Sequence, residues 1–310
     1  FQIPFLKQIG CIPKFNLDIK DKGVWRILKL MGPAVIGVSI MQISLLINTI
    51  FASFLSSGSV SWLYYADRLM EFPAGVLGVA LSTILLPNLS KSFSKKKTGD
   101  YSELINWGLR FGILLAVPAA IALAILAIPL ISTLFYYGAF TKTDILMTQY
   151  ALVAYSIGLV GLILIKILAP AFYAQQNVKT PVKIALFTLF CTQFMNLIFI
   201  GYLKHTGLAL AIGLGACINA GLLFYNLKKG KVFKLNSGWL VFLTKIMISA
   251  FIMALGLLYF KGSIDLWMNY SALSRFSHLI ALILFGTTIY FLTLKLFRLD
   301  VTEFFKKTIQ

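Results

Sequence analysis

The sequence of 310 residues is short of charged groups, and acidic groups are the scarcest. Only 12% of its residues are charged, with 10 Asp and Glu against 28 Lys and Arg. Soluble domains contain about 25% charged and about 45–50% apolar residues, whereas 59% of this chain is hydrophobic. The scarcity of charge excludes an ordinary soluble domain and predicts an all-α integral membrane protein.

Cysteine and histidine are also scarce, and common enzyme motifs are missing. The three cysteines form no CxxC pair, and the two histidines lie far apart, so neither a disulfide framework nor a metal site is predicted. The chain has no GxxxxGK[ST], HExxH or GxSxG motif. We therefore expect no catalytic residue, no cofactor and no nucleotide site. The net charge of +18 is attributed to cytoplasmic loops rather than to a nucleic acid partner.

Long apolar runs fill most of the chain. A membrane helix needs about 20 mainly apolar residues, and eight runs reach this length. They cover residues 28–55, 62–89, 104–130 (with an extension to 135 left open), 146–172, 182–203, 208–227, 240–260 and 276–297. The short connections between them predict antiparallel neighbours.

The basic residues alternate in density from one connection to the next. When a basic residue within three positions of a run's end is counted with the adjoining segment, twenty of the 28 Lys and Arg lie on the side of the N-terminus and four lie on the other side. The remaining four lie deeper within the runs. Cytoplasmic loops are enriched in Lys and Arg, so this pattern predicts a multi-pass protein of a cytoplasmic membrane with both ends of the chain in the cytoplasm. The basic loops also make membrane lipids expected partners.

The beginning of the chain has a different character. Residues 1–26 mix basic and apolar residues, which predicts a cytoplasmic connector or surface segment. The sequence does not begin with Met and shows no signal peptide, so we expect it to be part of a longer polypeptide.

The second run contains an unusual group of charges in the stretch "YYADRLMEFPAG", residues 64–75. Asp67 and Glu71 are four residues apart and share a helix face, and Arg68 and Glu71 are three apart and can pair. Charges inside a membrane cost about 2.5–3.5 kcal/mol each on insertion scales. The group is therefore either a self-neutralising ion cluster or the wall of a cavity in which Arg68 binds an anion such as phosphate.

Four further residues are candidates for a cavity or gating role. Pro73 removes a helix hydrogen bond just below the charged group, and breaks of this kind either line cavities or only kink the helix for packing. Gly75 lies beside a stripe of small residues that permits close helix approach. Lys166 is either a cavity residue or a snorkelling lysine, and Asn196 is polar within a run, where hydrogen bonding between helices is the alternative.

Three blocks of the sequence resemble the MurJ (MviN) family of bacterial lipid II flippases. They are "INTIFASFLSSGSVSWLYYADRLMEFPAGVLGVALSTILLPNLSKSF" at 47–93, "ILAPAFYAQQNVKTPV" at 167–182 and "HTGLALAIGLGACIN" at 205–219. They occur in order over the first six runs. The family belongs to the multidrug/oligosaccharidyl-lipid/polysaccharide exporter superfamily, whose members have two facing six-helix lobes.

The resemblance implies a fold and a function. MurJ-type proteins carry two more helices after the second lobe, fourteen in all, so the chain is similar to the second lobe (27–228) followed by the extra pair and a tail (229–310). The missing N-terminal lobe is then an expected partner. The family's cavity arginine falls on Arg68 and its acidic neighbours on Asp67 and Glu71. The implied substrate is lipid II, an undecaprenyl-pyrophosphate-linked disaccharide-pentapeptide, which is flipped by alternating access.

Two other functions stay open at this point. One is a related exporter of the same superfamily that moves a drug or another polyprenyl-linked glycan. The other is a membrane enzyme acting on a lipid pyrophosphate, for which Asp67 and Glu71 are the only candidate acid–base pair. When the protein is depleted from cells, the identity of the lipid-linked precursor that accumulates distinguishes the two exporters. Hydrolysis or transfer of lipid II by the purified protein would indicate the enzyme.

Overall fold

The computed structural model describes residues 7–8, 10, 21–230 and 232–299, and these residues are helical with no strand. Most of the predicted segment 1–26 and the tail beyond residue 299 lie outside the described residues. The described helices are α1 Lys22–Ser53, α2 Ser59–Ser94, α3 Thr98–Ile125, α4 Ala127–Phe135, α5 Lys142–Ala174, α6 Lys179–Lys229, α7 Trp239–Phe260, α8 Ile264–Asn269 and α9 Ala272–Leu296.

Six of the described helices are long and apolar enough to cross a membrane, namely α2, α3, α5, α6, α7 and α9. Within α1, the described residues include a shorter apolar helical segment, Gln42–Ser53. The all-α membrane architecture predicted from composition is confirmed.

The helix α6 has 51 residues but folds back on itself at Lys204, whose backbone is non-helical (φ 51°, ψ −132°). Two glycines show that its arms run antiparallel. A Cβ added to Gly207 would lie 2.7 Å from the carbonyl oxygen of Phe199, and one added to Gly215 would lie 2.3 Å from Oγ1 of Thr192. The reversal falls between the predicted runs 182–203 and 208–227.

The predicted run 104–130 is not one continuous helix. The chain leaves α3 at Leu126 and starts the short helix α4. Pro129 explains the break, because its ring nitrogen cannot donate to the carbonyl of Ile125, four residues earlier, and its ring crowds that carbonyl. The prolines at 73, 87, 118 and 170 lie inside α2, α3 and α5, which continue through them.

The helix α5 is the centre of the larger core and packs against α2, α3, α4 and α6. Its contact with the second arm of α6 is a close backbone approach. A Cβ on Gly158 would lie 2.3 Å from Cα of Gly213, and a Cβ on Gly161 would lie 2.7 Å from the carbonyl carbon of Ala216. Small residues allow this approach, which is a common basis of helix association in membranes.

The helices α7 and α9 pack on each other and on α3 in a second apolar cluster. The Tyr290 hydroxyl of α9 donates to the Leu114 carbonyl of α3 at 2.7 Å. The boundary between 27–228 and 229–310 stays a prediction.

A polar stripe on α3 holds the link that leads into α7. Ser102, Asn106 and Arg110 are spaced four residues apart and face this link. The Asn106 amide donates to the Lys234 carbonyl at 2.8 Å, and the Arg110 guanidinium donates to the Ser237 carbonyl at 2.8 Å. These bonds satisfy backbone groups that have no helical partner.

Candidate functional site

The charged group of α2 forms an ion pair on the helix surface. Nη1 of Arg68 donates to Oε2 of Glu71 at 2.5 Å, and the guanidinium lies over the Tyr64 ring at 5.1 Å from its centroid. The Arg68 and Glu71 side chains are 51% and 59% exposed. Among the described residues, Glu71 is the only hydrogen-bond partner of Arg68, so most of its N–H groups remain available to an anion.

Asp67 lies on a more buried side of α2 than its two charged neighbours. It forms no ion pair within the described residues, although Arg68 and Glu71 are close enough to influence its charge. The predicted arrangement of one cation between two carboxylates is therefore unequal, with Glu71 exposed and paired with Arg68 and Asp67 half-buried and without an ion pair among the described residues.

The face of α2 that carries Arg68 and Glu71 is open along its length. Phe72, Val76 and Val79 are 74%, 56% and 50% exposed. A Cβ built on Gly75 meets no atom within 4 Å, so Gly75 lies on this open face rather than in a contact between described helices. We call residues 64–79 of this surface the open face of α2.

Lys166 of α5 crosses α2 from the other side. Its Nζ donates to the Ala74 carbonyl at 3.2 Å, and its side chain passes over Gly78, where an added Cβ would lie 2.4 Å from Cδ of Lys166. Ala74 is six residues beyond Arg68, about 9 Å along a helix. A second positive group is thus held about two turns from Arg68.

Pro73 lies between these two positive groups, inside an unbroken α2. Because proline has no N–H, the Leu69 carbonyl lacks its usual partner four residues later. The sequence prediction of a missing hydrogen bond at this level is consistent with the structure, and the helix continues through it.

Asn196 belongs to a different place in the fold. It is 0% exposed and donates to Oδ1 of Asn48 in α1 at 2.6 Å and to Oε1 of Gln193 at 3.0 Å. These bonds join α1 to the first arm of α6, in keeping with the alternative of interhelical hydrogen bonding. No described contact brings Asn196 to the open face of α2.

Sequence reasoning missed the contact that holds the start of α2. The indole of Trp62 donates to Oδ1 of Asp144 at 2.7 Å, and Asp144 and Thr141 form a capping box at the start of α5. The ring of His205 lies 5.1 Å from that of Trp62. The stretch "TKTD" at 141–144 has the capping spacing, so a signal for Asp144 was present.

A second missed residue is Arg275, which the charge count treated only as a loop cation. It is 7% exposed and donates to the carbonyls of Ser132, Tyr136 and Met268 at 3.0 to 3.2 Å. These carbonyls lie at or just beyond the C-terminal ends of α4 and α8, where helices leave carbonyls without partners. One arginine thus ties two short helices to the start of α9.

Comparison with known proteins identifies the family. A family model described as "Lipid II flippase MurJ" matches residues 1–277. The chain belongs to the MurJ family. The match extends over the open face of α2, both arms of α6 and α7. MurJ is described as a flippase, which is a transporter and not a catalytic enzyme.

Curated relatives support the same assignment. "Lipid II flippase MurJ" of Burkholderia cenocepacia is 46% identical over 296 residues, which cover 94% of this chain and 57% of the relative. "Probable lipid II flippase MurJ" of Haemophilus influenzae is 41% identical over 300 residues, covering 95% of this chain and 59% of the relative. The chain spans less than two thirds of the length of these relatives.

Solved structures share the fold. "Lipid II flippase MurJ, inward closed conformation" superposes with a TM-score of 0.72 at 25% identity, covering 95% of this chain and 59% of that one. An outward-facing multidrug resistance MATE family transporter of the MOP superfamily superposes with a TM-score of 0.58 at 14% identity, covering 74% and 52%. The second likeness shows the fold alone. With six apolar helices and this family, the chain is a multi-pass membrane protein.

Proposed function

We propose that the protein containing this chain moves lipid II from the inner to the outer leaflet of the bacterial cytoplasmic membrane by alternating access. The observation that carries the proposal is the Arg68–Glu71 pair on the open face of α2, in a chain of the MurJ family. A surface with exposed charges inside a membrane span needs water or a partner opposite it. A cavity that receives an anionic headgroup supplies both.

The proposed architecture is eight membrane crossings. The six candidate helices supply seven of them if the antiparallel arms of α6 cross separately, and α1 supplies the eighth. Residues 27–228 would form one six-helix lobe and residues 229–310 the added pair with its tail. The relatives' additional length, about two fifths of each, leaves room for a preceding six-helix lobe that faces α2.

The proposed orientation places both ends of this chain in the cytoplasm. It is supported by the twenty Lys and Arg in the segments on that side against four on the other. In this orientation α2 runs from the outer surface inwards, and Arg68 lies nearer the outer end.

In the proposed site, Arg68 binds the pyrophosphate of lipid II. Its planar guanidinium presents paired N–H groups that match phosphate oxygens, and Glu71 keeps the plane oriented until the phosphate arrives. Asp67 would limit the net positive charge of the site. Lys166 of α5, whose ammonium is bonded to the Ala74 carbonyl about 9 Å along α2 from Arg68, would add positive charge behind α2 that favours the headgroup.

Three candidate residues would act through helix movement. The carbonyl left unpaired by Pro73 and the bare surface at Gly75 allow α2 to bend or to approach the opposite lobe. Asn196 would hold α1 to α6 in one state of the cycle. We propose that an ion gradient, the membrane potential or the substrate gradient drives transport.

The test is replacement of Arg68 in the full-length protein. We expect Arg68→Ala to insert normally but to fail to support growth of a flippase-depleted strain, because the site loses its phosphate ligand. Arg68→Lys keeps the charge without the paired N–H groups and should complement only weakly. Arg298→Ala is the matched control, since Arg298 is an exposed arginine with no described side-chain partner. Full complementation by Arg68→Ala would refute the proposal.

The rival function is export of a drug or another lipid-linked glycan, which the MATE likeness supports at the level of fold. Depletion of the protein separates the two. Accumulation of lipid II on the cytoplasmic side supports the flippase, whereas accumulation of a different precursor with normal lipid II would favour the rival.

A further inference from the structure

A large pocket lies at the end of the helix bundle where α2 meets α3 and where α5 ends. Its volume is about 1070 Å³, and its walls include Lys91, Phe93, Lys96, Tyr101, Tyr173 and Gln176. None of these residues belongs to the open face of α2. The proposed orientation puts the pocket at the cytoplasmic surface of the membrane.

Two loops that form this pocket carry an unusual backbone. Lys96 and Gln176 have φ angles of 54° and 57°, in the left-handed region that favours glycine. Each follows the last turn of a helix in a Schellman motif, shown by the bonds from Lys97 N to Ser92 O (3.0 Å) and from Asn177 N to Phe172 O (3.0 Å). These two helix ends place Lys96 and Gln176 in the wall of the pocket.

The pocket is positively charged. Neither ammonium of Lys91 and Lys96 has an ion pair with a described residue, whereas the neighbouring Lys97 pairs with Asp100 at 3.5 Å. The C-terminal ends of α2 and α5 carry partial negative charge, but their Schellman bonds satisfy carbonyls of the last turn. Two full positive charges therefore outweigh these partial charges.

The floor of the pocket is hydrogen-bonded and partly aromatic. Tyr101 is 0% exposed; its hydroxyl donates to the Ala171 carbonyl at 2.6 Å and accepts from Nε2 of Gln175 at 2.7 Å. The Phe93 ring lies 5.9 Å from that of Tyr101, and Tyr173 is 44% exposed. A pre-formed polar floor beside exposed aromatic rings suits a ligand with a charged head and an apolar body.

We propose that this pocket binds the phosphate group of a lipid in the adjacent leaflet. Lys91 and Lys96 would contact the phosphate, the Gln176 amide would donate to its remaining oxygens, and Phe93 and Tyr173 would lie beside the glycerol or the first carbons of the chains. The assignment to the cytoplasmic leaflet rests on the orientation proposed above, but phosphate binding does not require transport.

The test is lipid binding by the purified full-length protein, measured by native mass spectrometry. Four probes are titrated separately: phosphatidylglycerol, phosphatidylcholine, undecaprenyl pyrophosphate and inorganic phosphate. We expect phosphatidylglycerol to bind more tightly than phosphatidylcholine, and Lys91→Gln and Lys96→Gly each to weaken this binding about fivefold.

A matched control separates charge from backbone. Arg298 has a φ of 53° and follows the end of α9 in the same Schellman motif. Arg298→Gly therefore removes one positive charge and one non-glycine residue with positive φ, but at a position away from the pocket. Lys96→Gly and Arg298→Gly should both melt at or above the wild-type temperature. Only Lys96→Gly should weaken lipid binding.

The other outcomes are equally decisive. If the lysine variants weaken the binding of undecaprenyl pyrophosphate alone, the pocket is a phosphate site, and its ligand is a polyprenyl pyrophosphate of the class proposed to be transported. If inorganic phosphate alone binds as tightly as the lipids, the lipid assignment is wrong. If all variants bind every probe like the wild type, the proposal is refuted, whereas a transport failure with intact lipid binding concerns only the proposed function.

Discussion

At the scale of single residues, the contact between Lys166 and Gly78 has the clearest consequences. A half-buried lysine in a membrane helix needs a partner for its ammonium group, and Lys166 finds the Ala74 carbonyl at 3.2 Å. It reaches that carbonyl only because Gly78 has no side chain. Lys166 and Gly78, which are far apart in the sequence, are therefore packed in direct contact, and the lysine occupies the space that a side chain at position 78 would fill.

This fit predicts the effect of Gly78→Ala. The new Cβ would lie 2.4 Å from Cδ and 3.2 Å from Cβ of Lys166, so the lysine side chain must shift. We expect this to cost about 1–3 kcal/mol of the free energy of unfolding, reduced by the gain of about 1 kcal/mol that alanine has over glycine in a helix. Thermal unfolding of the purified protein measures it. Gly75→Ala is the control, because its Cβ meets open space and alanine favours helix by about 1 kcal/mol.

A double-mutant cycle checks the cause. In the Lys166→Ala background the clash with Cδ is gone, so the cost of Gly78→Ala should fall markedly. An equal cost in both backgrounds would show that Lys166 is not the residue that requires glycine at position 78.

At the scale of helices, the polar stripe on α3 decides where α7 starts. Asn106 forms hydrogen bonds with both the nitrogen and the oxygen of its side-chain amide. Nδ2 donates to the Lys234 carbonyl at 2.8 Å. Oδ1 accepts from the backbone N–H of Asn236 and from the indole of Trp239, each at 3.1 Å. The link is therefore anchored before α7 enters the bundle. The polar groups of Asn106 would be costly in a lipid-facing position.

We predict that Asn106→Asp loosens this link. The carboxylate keeps the acceptor but places a negative oxygen near the Lys234 carbonyl, which should cost about 1–3 kcal/mol. Trypsin should then cut after the lysines of residues 228–234 faster than in the wild type. Asn88→Asp is the control, because Asn88 is exposed and bonds only within its own helix. Equal cleavage of the two variants would contradict the anchoring role.

At the scale of the whole molecule, the reversal of α6 determines how many times the chain crosses the membrane. Gly207 approaches Phe199, and Gly215 approaches Thr192, so the arms lie side by side. The turn at Lys204 and the link near Asn236 should then be on opposite sides of the membrane.

Cysteine labelling in intact cells tests this arrangement. In a full-length protein whose native cysteines are replaced by serine, Lys204→Cys should react with a membrane-impermeant maleimide from outside. Asn236→Cys should react only after the cells are permeabilised. Labelling of both positions from the same side would overturn the proposed eight crossings.

Much of the site was predictable from sequence, because its charges are neighbours on one helix. The pairing of Arg68 with Glu71 follows from their spacing of three residues and is observed at 2.5 Å. The partial burial of Asp67 and the open surface at Gly75 were not predictable, since they depend on which helix lies opposite. For the same reason the sequence analysis counted Arg275 among the cations of the connecting loops, whereas in the structure its side chain is buried, with 7% exposed.

The sequence by itself determined the membrane class, the apolar runs, the alternation of basic loops and the family. The first three depend on local composition, and a long apolar segment must satisfy its backbone as a helix. The family is recognisable from three contiguous blocks of sequence. Only the tertiary structure decided the partners: Lys166 with Ala74 across Gly78, Asn196 with Asn48, and Lys91 and Lys96 around one pocket. Contacts between helices depend on how side chains of distant segments fit together, and no local pattern records that fit.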